Sequence, residues 1–180
     1  YLGALEYEAE GDTELAKAAA LFSGLFAHAP THFREPVLSP DHTERLLLEL
    51  GAPVRALGAV VALDPEGYAG HWNALRFEVP GDISARNLLA AAAMVVPGSR
   101  VTLRGASLNP TRSAFLEMAR QRGEAIETHW TSGVLGEPAG DVTVAYVESA
   151  RAVPLPSELV RGLGGDLGVA FACLARGASP

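Results

Sequence analysis

The feature that most constrains this chain is a recurrence. Three segments rich in small residues at helical density, residues 14–31, 85–99 and 158–179, each end in Ala or Gly followed closely by Ser or Thr. The first two run on into short alternating stretches, THFREPV and SRVTLRG, which read as half-buried strands. After each strand come a polar residue, a proline and a helical pattern: Ser39-Pro40 before DHTERLLLELG, and Asn109-Pro110 before TRSAFLEMARQRG. Ser and Asn cap helices well, and Pro is tolerated at the first helical position because its missing N–H has no intrahelical partner there. The pattern predicts helices starting at Ser39 or Asp41 and at Asn109, closed near Gly51 and Gly123. Further strands are expected in PVRALGAVVAL, AIETHW and VTVAYVE. The small residues Ala29, Gly98 and Gly177 lie 69 and 79 residues apart, so a unit of helix, strand, helix and strand pair repeats about every 70 residues.

Such a unit presents helices on one side and strands on the other, and buries its sheet only against helices, its own or a neighbour's. The expected class is α+β, built of repeated units with Ala-rich helices packed inside against sheets. At 180 residues, 48% hydrophobic and 19% charged, the chain is long enough to bury a core and too apolar to be disordered. Its net charge of −7 and 14 scattered basic residues argue against a nucleic-acid surface, which needs clustered Lys and Arg. The single Cys173 sits in the apolar run GVAFACLARG, and His28, His42, His71 and His129 lack metal-ligand spacing, so neither a disulfide framework nor a metal site is expected. No apolar run reaches the ~18 residues of a membrane helix, and the first 20 residues lack a signal peptide's basic start and apolar core. The reading is a soluble, cytoplasmic protein without membrane contact. The abrupt ends, YLGALEYEAEGD and ARGASP, suggest a fragment.

The stretch VLSPDHTERLLLELG sets Ser39, Asp41 and His42 within four residues, like a hydrolytic triad written consecutively. A triad needs side chains converging from separate elements, whereas neighbours on one helical turn diverge around its axis. A helix start explains the stretch, with Ser39 as cap and Asp41 and Glu44 favoured by the dipole. The free N–H groups of such a start also bind phosphate. GLGGDLG has no strand before it and no Lys after it, so it does not read as a phosphate loop.

Taken as phrases, REPVLSPDHTERLLLELGAPV, VPGDISARNLLAAAAMVVPGSRVTLRGASLNPTRSAFLEMARQRGEAIE and GEPAGDVTV resemble the bacterial 5-enolpyruvylshikimate-3-phosphate synthases from about Thr13 to Pro180. The resemblance implies a fold of βαβαββ units, three to a domain, with the active site between two domains. It places residues 1–72 as the last unit of the shikimate-phosphate-side domain. Residues 73–180 would open the second domain, their third unit incomplete, with the crossing near LRFEVPGD. It implies transfer of the enolpyruvyl group of phosphoenolpyruvate to shikimate 3-phosphate, with no metal or organic cofactor. Full-length members are more than twice as long, so the chain alone is expected to be inactive.

Residue by residue, Thr13, Lys17 and Ser39 are expected to bind substrate, Thr13 and Ser39 through the resemblance and Lys17 because an ammonium, a hydroxyl and the free N–H groups of a helix start can meet around a phosphate. Thr13 and Ser39 stand where the family has serines that hold substrate phosphate. Leu15 replaces a substrate-binding Gln, Pro40 an Arg that touches phosphate, and Leu163 the catalytic Asp, so no catalytic residue is assigned. Asp166 lies one turn beyond Leu163 and reads as a surface or cap residue. Asp82 with Ser84 reads as a helix cap, and Arg112 as a first-turn residue after Asn109. The departures leave open a second reading, a non-catalytic descendant that keeps the fold as a binding or interaction domain.

Overall fold

The computed structural model describes residues 2–10, 13–66, 68, 70–74, 76–148, 157 and 168. The third small-residue segment, with Leu163, Asp166 and Cys173, lies outside the described residues. The chain divides into two compact units, Tyr1–Phe77 and Glu78–Pro180.

The first unit runs β1 (Leu5–Glu8), α1 (Glu14–Gly24), β2 (Thr31–Arg34), α2 (His42–Glu49), β3 (Val54–Leu57) and β4 (Val60–Leu63). Its sheet has the order β1-β2-β4-β3, with β1 parallel to β2 and the other pairs antiparallel. Alternation along the strands buries Thr31, Phe33, Val61 and Leu63 while His32, Arg34 and Val60 stay at least partly accessible. The helices therefore cover one face of the sheet. α1 turns Lys17, Ala20, Leu21 and Gly24 inward, the spacing of a single helix face. Gly24 allows the close approach of helix and sheet: a Cβ there would meet Thr31 Oγ1 at 2.7 Å.

The second unit runs α3 (Ile83–Val95), β5 (Arg100–Ser107), α4 (Ala114–Gln121), β6 (Ala125–Val134) and β7 (Glu137–Ala145), with sheet order β5-β7-β6. Where the first unit has β1, the described residues of the second show a parallel bridge from Gly81 to Ala106 on β5. The Asp82 carboxylate accepts a 2.9 Å bond from the Ser84 N–H and caps α3, as its sequence position predicts. A register shift between Leu103 and Ala106 bends β5; Gly105 lies there at φ 59° and donates its N–H to Asp141 Oδ1 at 2.9 Å. Ile83, Ala90, Met94, Leu103, Phe115, Met118 and Val142 belong to one buried cluster beneath α3 and α4.

Two expectations need correction. Ser39 is not the cap of α2, which begins after Asp41. Asn109 is not the cap of α4, which begins after Ser113. The Asn109 carboxamide oxygen instead accepts from the Thr111 N–H at 2.9 Å and the Thr111 hydroxyl at 2.8 Å, holding a turn over residues 110–112. In both connections the polar-proline pair closes the exit from a strand, and the helix starts later.

Candidate functional site

Thr13, Lys17 and Ser39 come together in the first unit, although they arrive from the start of α1 and from the loop between β2 and α2. What they meet around is Glu35, the first residue after β2. Glu35 Oε1 pairs with Lys17 Nζ at 3.1 Å. Its Oε2 accepts from the Ser39 hydroxyl at 2.6 Å and from the Thr13 hydroxyl at 3.1 Å. All four residues are buried, Lys17 to 1% exposure and Glu35 to 2%.

Lys17 has two further partners. Glu44 Oε1 on α2 lies 2.7 Å from Nζ, and the Ser39 carbonyl accepts a 3.3 Å bond. An ammonium has three N–H groups, so Lys17 is fully engaged. Glu44 Oε2 is buried and has no hydrogen-bond partner among the described residues. With one ammonium against two carboxylates, the fully ionised cluster carries one excess negative charge. Burying charge is costly unless it is compensated, which makes the geometry of this cluster sensitive to the loss of any member.

Local sequence explains why each group points where it does. Lys17 occupies the inward face of α1, one turn before Ala20 and Leu21, and its N–H bonds the Thr13 carbonyl at 2.8 Å. Thr13 stands at the N-cap position, yet its side chain makes no cap bond because the hydroxyl is given to Glu35. Asp41, at the N-cap of α2, also makes no side-chain cap bond; both its carboxylate oxygens accept from Arg45 at 2.8 Å. Thus Ser39 and Asp41 face different partners and no triad forms. The sequence reading missed Glu35 and gave Glu44 only a dipole role. The available signal was Lys17 itself, since a lysine on the buried face of a helix calls for an acid opposite it.

Chemically, two hydroxyls and an ammonium converge as donors on one anionic group, with a second carboxylate, Glu44, behind the ammonium. Leu15, where the resemblance has a Gln, is 86% exposed and offers no hydrogen bond. On the other face of the same sheet, a shallow depression is lined by Glu6, Tyr7, Glu8, His32, Arg34 and Val60, with His32 Nδ1 2.6 Å from Glu6 Oε1. Its two carboxylates make it a poor phosphate site. In the second unit Arg112 donates to Ser84 Oγ at 3.0 Å and ties the loop before α4 to the start of α3. Among the described residues no group of three or more His, Cys, Asp or Glu could hold a metal ion.

The fold agrees with what the chain is similar to. Residues 1–158 match the family EPSP synthase (3-phosphoshikimate 1-carboxyvinyltransferase). The 3-phosphoshikimate 1-carboxyvinyltransferase of Endomicrobium trichonymphae is 37% identical over 156 residues, covering 87% of this chain and 35% of that one. The enzyme of the same name from Anaeromyxobacter sp. strain Fw109-5 is 43% identical over 128 residues, 71% of this chain and 29% of the relative. Among solved structures, EPSP synthase from Acinetobacter baumannii superposes with a TM-score of 0.80 at 26% identity, over 94% of this chain and 37% of that one. The chain belongs to the EPSP synthase family, and it spans about a third of the length of these relatives.

Proposed function

We propose that this chain supplies the shikimate-phosphate corner of a cytoplasmic enolpyruvyl transferase that joins phosphoenolpyruvate to shikimate 3-phosphate. In this reading the first unit is the last of one domain, the second unit opens the other, and Thr13, Lys17 and Ser39 face the substrate phosphate. The observation that carries it is the convergence of those three donors, from two separate segments, on one anionic group. A carboxylate stands in that cradle where a phosphate oxygen would be received. Among the described residues no helix is long and apolar enough to cross a membrane, in keeping with this assignment.

The chemistry must neutralise a phosphate monoester, a second phosphate and a carboxylate while moving protons, and each misplaced group costs a factor of about 100 or more. With Leu15 and Pro40 at two contact positions, the chain alone falls short of that requirement. Phosphate release from the two substrates should be undetectable with the 180-residue chain, and its appearance only when complementary segments of a full-length relative are fused to it would mark the chain as an enzyme fragment. Turnover by the isolated chain would overturn the fragment reading. The second reading, a non-catalytic member, is favoured by the exposed Leu15 and by a cradle already filled by Glu35; continued inactivity of the fused protein would decide for it.

A further inference from the structure

We propose that Glu35 sets the affinity and selectivity of this cradle, by holding on a single carboxylate oxygen the two hydroxyls that a phosphate would otherwise receive. The proposal rests on the phosphate reading above. Ser39 Oγ donates to Glu35 Oε2 at 2.6 Å and Thr13 Oγ1 donates to the same atom at 3.1 Å. A hydroxyl has one proton to give, so each serves the carboxylate or a phosphate and not both at once. Lys17 is committed as well, its three N–H groups matched by Glu35, Glu44 and the Ser39 carbonyl.

An incoming anion therefore finds no spare side-chain donor among these three. It must take the hydroxyls from Glu35 and then stand beside that carboxylate, and like charges at such range in a poorly solvated site repel strongly. Lys17 stays in place during the exchange, held by Glu44 at 2.7 Å and by the other Glu35 oxygen, Oε1, at 3.1 Å. Selectivity follows from the same competition. A singly charged carboxylate cannot displace Glu35, which is a carboxylate already positioned by the chain. A phosphate monoester carries more charge on three acceptor oxygens and can take both hydroxyls together. The cradle is thus a weak phosphate site that rejects carboxylates, and Glu35 is the residue responsible.

Titration of the 180-residue chain with inorganic phosphate and with acetate, read at the amide signals of Thr13, Lys17 and Ser39, tests this in wild type, Glu35→Gln and Glu66→Gln. Glu66 is an exposed carboxylate in the same unit and controls for net charge. E35Q should bind phosphate about tenfold tighter or more and should begin to bind acetate, while E66Q stays within about twofold of wild type. Unchanged or weaker phosphate binding by folded E35Q overturns the proposal and leaves the phosphate reading standing, because wild type still binds. Absence of binding by both proteins overturns the phosphate reading and this proposal with it. Should E35Q not fold, the wild-type Glu35 carboxyl carbon signal supplies the test. It should move in proportion to phosphate occupancy as the hydroxyls leave; a signal that stays still while Ser39 saturates overturns the proposal.

Discussion

The fourth residue of α1 and the fourth residue of α3 are both basic, yet they are used in different ways. Lys17 is turned inward and meets Glu35 and Glu44, whereas Arg86 is only half-buried and donates to the Arg104 carbonyl at 3.0 Å. The residues just before the two helices differ in the same sense: Asp82 caps α3 through the Ser84 N–H, while Thr13 leaves its cap position unserved and gives its hydroxyl to Glu35. Both units also tie the following loop back to the helix start, the second by one bond from Arg112 to Ser84, the first by the ionic cluster. The same strand-and-helix order thus carries a local, self-satisfied helix start in one unit and a diverted one in the other. Polar groups withdrawn from their ordinary structural work mark the unit with the candidate site.

Mutations can break this comparison. Lys17→Met leaves two buried carboxylates uncompensated and should cost about 3–5 kcal/mol, seen as a lowered denaturant midpoint. The matching Arg86→Met should cost less, about 1 kcal/mol, since it removes hydrogen bonds to carbonyls from a half-buried cation and leaves no buried carboxylate behind. Equal losses would erase the distinction between the units. Thr13→Ala removes a bond to a buried charged group and should cost about 1.5–3 kcal/mol. Asp82→Ala loses only a helix cap and should cost about 1 kcal/mol. A Thr13→Ala effect no larger than that of Asp82→Ala would mean that the Glu35 bond contributes little.

Much of the fold is legible in the sequence because periodicity and burial coincide. The small-residue segments give α1 and α3, the alternating stretches give β2 and β5, and PVRALGAVVAL gives the hairpin of β3 and β4. Other parts are hidden for identifiable reasons. AIETHW reads as a short strand, but β6 continues to Val134 and turns into β7 through Leu135 and Gly136, both at positive φ, 54° and 69°. Leucine is a poor signal for such a turn, which usually announces itself with Asn-Gly or Asp-Gly. The strand β1 escapes notice because all four of its residues are exposed and carry no buried alternation. The start of α2 falls at Asp41, one of the two positions the sequence allows, while that of α4 is displaced to Ser113 because Asn109 spends its side chain on Thr111. Within the site, Thr13 and Ser39 are legible through resemblance, while Glu35, which has no local pattern of its own, is legible only as the acid that a lysine on the inward face of α1 calls for, 18 residues earlier.

The most direct test of the account is a titration of the labelled chain with shikimate 3-phosphate, comparing the two units in one spectrum. The amides of Thr13, Lys17 and Ser39 should shift together along one saturable curve, while those of Asp82, Arg86 and Asn109 stay at their free positions. Shifts centred on the start of α3, or none at Thr13, Lys17 and Ser39 at saturating ligand, would contradict the claim that the first unit holds the phosphate cradle.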